Sequence, residues 1–150
     1  MKNTFIHLAW RHAKPIFAIT LLLTLGVIAA FSWNRVEGAS KPAGTKLGIV
    51  IYSADAEIVW NAFRFGNFAL SQGDQVKMFL LAKGVEAESL DTDRFKVTEM
   101  MKQFVTHGGT IQACGTCLKL RQSEGSELCP LSTMKDLYEI TRDSDRVVTF

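Results

Sequence analysis

Residues 46–52 read KLGIVIY, a short run rich in β-branched and aliphatic side chains. A run without polar alternation is typical of a strand that is buried on both faces of a sheet. Residues 75–81 (QVKMFLL) form a second such run. Between the two, a helix over Ala56–Ser71 is predicted, because Ser53 or Asp55 can cap its start and Gly73 can end it. Two buried strands joined by a helix predict a parallel sheet.

The chain after residue 81 continues this alternation. The predicted elements are a polar connection (82–92), an amphipathic helix (93–107), a strand (110–113), a short helix (116–121), a polar loop (122–130), a helix that starts at Thr133, and a final strand (146–150). The apolar face of the helix over 93–107 is formed by Val97, Met100, Met101, Phe104 and Val105. The inner face of the last helix is predicted to be Met134, Leu137, Tyr138 and Thr141. Residues 46–150 are therefore predicted to form a three-layer α/β domain with a mainly parallel sheet.

The helix over Ala56–Ser71 carries more apolar side chains than one buried face needs. Trp60, Phe65 and Phe68 lie off its main apolar stripe. They either wrap over the edge of the sheet or form an oligomer interface, where aromatic side chains are enriched. The interface is the preferred interpretation.

The first 45 residues have a different character. Residues 16–33 (IFAITLLLTLGVIAAFSW) contain no charge and, as a helix, would span about 27 Å, close to the hydrocarbon thickness of a bilayer. Lys2, Arg11 and Lys14 precede them, so residues 1–15 are predicted to be a cytoplasmic basic region and the rest of the chain to cross the membrane. The length of the apolar stretch favours an uncleaved transmembrane anchor, formed by residues 16–34. The alternative is a signal sequence cleaved before Ala39, which would export the domain. Residues 35–45 are predicted to be a linker.

The charge distribution argues against nucleic-acid binding. Lys and Arg outnumber Asp and Glu by five to one in residues 1–44, whereas residues 45–150 carry twelve basic and fourteen acidic side chains. The net charge of +2 therefore comes from the N-terminal segment, and the α/β domain itself is slightly acidic.

Three cysteines are the candidate site of chemistry. Cys114 falls where the third long strand ends, and ligands of open α/β sheets bind beyond the carboxyl ends of strands. It also precedes a helix, an environment that favours the nucleophilic thiolate. Cys117 lies three residues later and can face Cys114 across one helical turn. This geometry suits sulfur transfer or disulfide exchange.

Other interpretations of the cysteines are open. A Cys-x-x-Cys pair also occurs in thioredoxin-like thiol–disulfide proteins, although nothing else here indicates that fold. Zinc is a weak alternative, with Cys114, Cys117, Cys129 and His107 as ligands, because the second close pair of a zinc ribbon is missing. His107 is better explained as a cation at a helix C-terminus, and Cys129 as a small buried apolar residue.

The order of several local phrases resembles the DsrE/DsrF-like family of sulfur-relay proteins, which includes the TusD-type sulfur carriers. The phrases are DAE at 55–57, AFRFGNFA at 62–69, FLLAKGV at 79–85, GTIQACGTCLK at 109–119, MKDL at 134–137 and DRVVTF at 145–150. The similarity spans residues 46–150.

This resemblance implies a specific function. Members of the family assemble into trimers or hexamers, sometimes with related subunits, and carry sulfur as a persulfide on a cysteine after the third strand. Carried over, Cys114 is the acceptor, Cys117 is a candidate resolving thiol, and no cofactor is required. Donor and acceptor proteins would be the partners of such a sulfurtransferase-like carrier. The N-terminal segment departs from the family, which is generally cytoplasmic, because it predicts a membrane-tethered or exported domain. In an oxidising compartment Cys114 and Cys117 can form a disulfide. A non-catalytic oligomeric module is the alternative function.

Overall fold

The computed structural model describes residues 44–150. The predicted basic region (1–15), the anchor or signal segment (16–34) and all but the end of the linker (35–45) lie outside the described residues. Among residues 44–150, no helix is both long enough and apolar enough to cross a bilayer.

Strands and helices alternate along the described chain. Their bounds are β1 Lys46–Ile51, α1 Ala56–Ser71, β2 Gln75–Leu80, a 3-10 helix Ala82–Ser89, α2 Val97–Thr106, β3 Thr110–Cys114, α3 Gly115–Lys119, β4 Leu131–Ser132, α4 Met134–Asp143 and β5 Arg146–Thr149. As expected, Asp55 caps α1: its Oδ1 accepts the N–H of Ile58 at 3.0 Å.

The five strands form one sheet in the order β4-β3-β2-β1-β5, and each neighbouring pair is parallel. This arrangement confirms the predicted α/β fold with a parallel sheet. Paired residues on neighbouring strands share a face, and successive residues alternate between faces. Met78 lies against Gly66 of α1, whereas Gly48, on the opposite face, lies against Ile140 of α4. Helices therefore cover both faces.

The core is centred on the face of the sheet that carries α1 and α2. Phe63 of α1 and Phe104 of α2 are fully buried and pack edge to face, with ring centroids 5.8 Å apart. Ile49, Met78 and other strand residues complete this layer. An aromatic pair of this kind contributes about 0.5–1.5 kcal/mol beyond the area that it buries.

Three local predictions need correction. The connection 82–92 is not irregular, because the 3-10 helix occupies most of it. The helix predicted over 93–107 begins only at Val97, since Asp91 Oδ1 accepts the N–H of Thr98 at 2.8 Å and sets the first turn there. The two-residue strand β4 lies at the end of the predicted polar loop and was not expected.

The predicted inner face of the last helix is wrong. Met134 and Tyr138 are 57% and 62% exposed, while Ile140 is buried against Gly48 of β1. Leu137 lies on the flank and is partly buried. The helix is rotated away from its apolar stripe because the side-chain-free position at Gly48 accepts Ile140.

Two of the three extra aromatic side chains of α1 have partners within the chain. Trp60 packs on Phe95 at 5.9 Å and Phe65 on Phe150 at 6.3 Å between ring centroids. Phe68 is 62% exposed. The first two contacts match wrapping over the sheet, and the oligomer interface stays a prediction.

Candidate functional site

Cys114 ends β3 and at the same time caps α3. Its Sγ accepts the backbone N–H of Cys117 at 3.3 Å, in the role that a Ser or Asp side chain usually plays at a helix start. Only 3% of the residue is exposed. The expected position of Cys114, between a strand and a helix, is therefore observed.

Gly115 allows β4 to approach the cysteine closely. A Cβ at this position would lie 3.1 Å from the carbonyl oxygen of Ser132, the residue of β4 that is paired with Cys114. Side-chain bulk here would push β4 away from β3. The glycine between the two cysteines thus lets Ser132 form one wall of the site.

Cys117 faces Cys114 and is more accessible. It is partly exposed, and its backbone N–H is the donor to Cys114 Sγ. Burial, and then the hydrogen bond with Cys114, raise the pKa of Cys117. The backbone N–H of Ala82 and the charge of Arg121 act in the opposite direction. The structure therefore brings together the two cysteines that the sequence predicted as a pair.

The backbone amide of Ala82 reaches Cys117 because of an unusual turn after β2. Ala82 has a φ of 50°, a left-handed conformation that costs free energy for a residue with a side chain. Two residues later, a Cβ at Gly84 would lie 2.2 Å from the carbonyl oxygen of Ile51. The 3-10 helix is therefore packed directly against the end of β1, and this packing aims the Ala82 amide at the site.

Arg121 connects the cysteine segment to the 3-10 helix. Its Nε forms an ion pair with Glu86 of that helix, and its Nη1 donates to the carbonyl oxygen of Cys117 at 3.1 Å. Sequence reasoning missed both residues. The available signal was the spacing of Arg121 four positions after Cys117, which places it one helical turn away.

Cys129 belongs to a separate, buried cluster. It is 2% exposed, its N–H donates to Ser126 Oγ at 2.9 Å, and the Ser126 hydroxyl donates to Glu88. Burial, followed by the nearby carboxylate of Glu88, raises the pKa of Cys129 to about 12. This thiol stays protonated at neutral pH. The arrangement fits the expected structural role of Cys129.

The four residues of the zinc alternative are not gathered in one place. His107 follows α2, ahead of β3, with its Nδ1 3.2 Å from Asn67 Oδ1, whereas Cys114 lies at the opposite end of β3. Across residues 44–150, no three His, Cys, Asp or Glu side chains come close enough to share a metal ion. The described geometry gives a zinc site no support.

Three surface cavities on the described part of the chain, of about 500, 320 and 310 Å³, are lined by residues other than the cysteines. All three cysteines, which fall within the described residues, are free thiols. The arrangement can perform thiol chemistry with a partner that reaches the surface.

The domain is therefore an α/β protein with a parallel sheet and two free cysteines, Cys114 and Cys117, at the carboxyl end of β3. Comparison with known families makes the assignment more specific: residues 45–150 match the model of the DsrE/DsrF-like family, and the chain belongs to that family.

Relatives and a solved structure agree with this assignment. The chain is 34% identical over 100 residues to an uncharacterized protein of Methanocaldococcus jannaschii, a match that covers 63% of this chain and 88% of the relative. It is 33% identical over 100 residues to an uncharacterized protein of Methanopyrus kandleri, covering 63% and 83%. The structure of a conserved protein of unknown function from Bacteroides thetaiotaomicron superposes with a TM-score of 0.60 at 18% identity, covering 74% of this chain and 99% of that one. At that identity the likeness concerns the fold alone.

Proposed function

We propose that the domain is a sulfur carrier that holds sulfane sulfur as a persulfide on Cys114 and passes it to a partner protein. The observation that carries the proposal is the Cys114 Sγ at the carboxyl end of β3, which accepts the N–H of a second cysteine, Cys117. Membership of the DsrE/DsrF-like family supports the same assignment. The TusD-type carriers are the branch whose chemistry fits best.

Loading needs only a persulfide donor. The thiolate of Cys114 attacks the outer sulfur of the donor R–S–SH, the donor S–S bond breaks, and a new S–S bond forms on Cys114. The proton of the Cys114 thiol leaves with the donor thiol R–SH. No external oxidant or reductant enters the balance, because the sulfane sulfur keeps its oxidation state.

Delivery then has two routes. The thiolate of a partner protein can attack the outer sulfur, which restores the Cys114 thiol and creates a persulfide on the partner. Alternatively, the Cys117 thiolate attacks Cys114 Sγ, the persulfide S–S bond breaks, and hydrosulfide leaves as a Cys114–Cys117 disulfide forms. The second route reduces the sulfane sulfur with the two electrons of the thiol pair. The Cys117 N–H that contacts Cys114 Sγ keeps the two residues adjacent, which favours this role for Cys117.

The experiment is persulfide loading of the purified full chain, followed by intact mass measurement. We expect a gain of one sulfur atom in the native chain and in Cys129→Ser, and none in Cys114→Ser. Cys129→Ser is the matched control because its thiol lies in a separate buried cluster. Sulfur that persists in Cys114→Ser would contradict the assignment of the acceptor. A native chain that neither gains sulfur nor releases hydrosulfide during loading would contradict the carrier function and would favour a thiol–disulfide protein or a non-catalytic module.

The proposal extends to assembly and location. We propose a homotrimer or hexamer, or a hetero-oligomer with related subunits, tethered to the membrane by residues 16–34 or exported after their cleavage. The exposed Phe68 supports an interface on α1. Light scattering on the native chain and on Phe68→Ser tests the assembly. Extraction of membranes at high pH, which releases peripheral but not anchored proteins, tests the tether.

A further inference from the structure

Arg121 makes two directional contacts on opposite sides. Nε is paired with the carboxylate of Glu86 on the 3-10 helix, and Nη1 donates to the backbone carbonyl of Cys117 at 3.1 Å. The side chain of Arg121 is 29% exposed, so solvent screens these contacts only in part. Because a guanidinium is planar and its donors point in fixed directions, two such contacts fix both its position and its orientation.

The fixed position of Arg121 matters because of the groups that surround the Cys117 thiol. Three groups face its thiol: the Cys114 thiol from the end of β3, the Ala82 N–H from the 3-10 helix, and the Arg121 guanidinium from the turn after α3. Glu86 reaches the site through Arg121. Glu88, another acidic side chain of the same helix, raises the pKa of Cys129 instead. Arg121 is therefore the cation that faces Cys117 among the described residues.

We propose that Arg121 is the positioning residue of the cysteine pair: held by Glu86, it fixes the backbone of Cys117 opposite Cys114 and keeps a positive charge beside the Cys117 sulfur. The proposal rests on the proposed function in one respect, since Cys117 is the thiol that displaces hydrosulfide from a Cys114 persulfide. The charge stabilises the thiolate that attacks, and the contact to the Cys117 carbonyl keeps the attacking sulfur in line.

A pair of substitutions with opposite expected signs tests this role. In the full chain carrying Cys114→Ser and Cys129→Ser, Cys117 is the remaining thiol, and its rate of alkylation by iodoacetamide is measured from pH 6 to 11. Arg121→Gln removes the cation, so the alkylation rate at pH 8 falls about two- to tenfold and the profile moves to higher pH. Glu86→Gln keeps an acceptor for Arg121 but removes the opposing charge, so the profile moves to lower pH.

Lys119→Gln is the matched control. It also removes one positive charge from the same segment, but Lys119 is an exposed side chain of α3 outside the group that faces Cys117. We expect its shift to be smaller than that of Arg121→Gln and to vanish at high salt. Near-ultraviolet circular dichroism checks that each variant is folded. If Arg121→Gln fails to fold, Arg121→Lys replaces it. Lysine keeps the charge without the planar fork, so its pH profile is expected to stay within the small shift of Lys119→Gln.

The proposal is overturned if Glu86→Gln and Arg121→Gln move the profile in the same direction, which is the behaviour of two merely structural residues. It is also overturned if Arg121→Gln slows alkylation while the profile keeps its position on the pH axis, or if Arg121→Lys, used in its place, moves the profile to higher pH by more than Lys119→Gln does. Alkylation needs no persulfide, so these outcomes are independent of the loading experiment. If the two variants shift the alkylation profile in opposite directions but the native chain takes up no persulfide sulfur, Arg121 keeps its role in a thiol–disulfide site and the carrier function is rejected.

Discussion

The N–H of Cys117 donates to Cys114 Sγ at 3.3 Å, so the first cysteine of the motif caps the helix that carries the second. The residue whose N–H contacts the Cys114 sulfur also carries the thiol that can react with it. Cys129, in contrast, is held by Ser126 and Glu88. This separation divides the three thiols into a pair at the carboxyl end of β3 and a single residue in another cluster, and it makes their reactions predictable.

Mild oxidation is expected to join Cys114 to Cys117 and to leave Cys129 reduced. The backbone of Cys117 already contacts the Cys114 sulfur, whereas Cys129 lies in a separate cluster and its pKa of about 12 keeps it protonated. Peptide mapping after incubation with oxidised glutathione and alkylation of the free thiols measures the outcome. Cys117→Ser is the control and is expected to form no intramolecular bridge. A bridge that includes Cys129 would contradict the division into two clusters.

Cys129 is expected to make the stability of the domain fall at alkaline pH. The folded thiol keeps its proton up to a pKa of about 12, whereas an unfolded chain releases it near 9.0. Between these values the unfolded state binds fewer protons, so the free energy of unfolding decreases as the pH rises, by about 1 kcal/mol per pH unit. Below pH 9 this contribution is fully present.

Urea unfolding of the native chain and of Cys129→Ala at pH 8, 9, 10 and 11 measures this effect. The alanine variant lacks the titrating thiol, so the difference between the two chains is expected to be constant below pH 9 and to shrink above it. Subtracting the variant also removes the contribution of lysines and tyrosines, which titrate in both chains. A difference that is independent of pH up to 11 would show that Cys129 is not held protonated by the fold.

The sequence predicted correctly the strands that appear as continuous apolar runs. The runs at 46–52 and 75–81 each contain a stretch of at least four consecutive apolar residues or glycine, and both form inner strands of the sheet. The 3-10 helix escaped prediction because residues 82–89 are polar and lack a repeat of 3.6 residues. The strand β4 has only two residues, fewer than any periodicity can reveal.

The last helix shows how tertiary packing overrides an apolar pattern. Its stripe of Met134, Leu137 and Tyr138 predicted the buried face, yet Ile140 is the buried side chain, because it faces a glycine on β1. The position of Gly48 opposite α4 depends on where the helix crosses the sheet, and that crossing is set by contacts distant in sequence.

The candidate site also contains residues that the sequence predicted and residues that it did not. Cys114 and Cys117 could be identified because they are close in sequence and follow a strand. Glu86 and Arg121 are 35 residues apart and meet only because the 3-10 helix packs beside α3. A contact of that kind leaves no local pattern, so sequence reasoning located the thiols but not the side chains that surround them.

Gly84→Ala is expected to destabilise the domain by about 1–3 kcal/mol, the usual cost of forcing extra bulk into a packed site. The new Cβ would lie 2.2 Å from the carbonyl oxygen of Ile51, which is part of a central strand and cannot move aside. Gly115→Ala is the comparison, and its smaller conflict, 3.1 Å from Ser132, predicts a smaller loss. Urea unfolding of the three chains gives the ranking. Equal losses would mean that the 3-10 helix shifts freely against β1.

Removal of Cys117 is expected to prolong the persulfide rather than prevent its formation. In Cys117→Ser the donor can still load Cys114, but no neighbouring thiol attacks Cys114 Sγ, so hydrosulfide release slows by tenfold or more, on the order of the loss of a well-placed nucleophile. The measurement follows the sulfur adduct by intact mass and the released hydrosulfide by trapping, in the same samples. Cys129→Ser serves as the control and should release hydrosulfide at the native rate while forming the Cys114–Cys117 disulfide. An unchanged release rate in Cys117→Ser would exclude Cys117 as the resolving thiol and would leave transfer to a partner protein as the route of delivery.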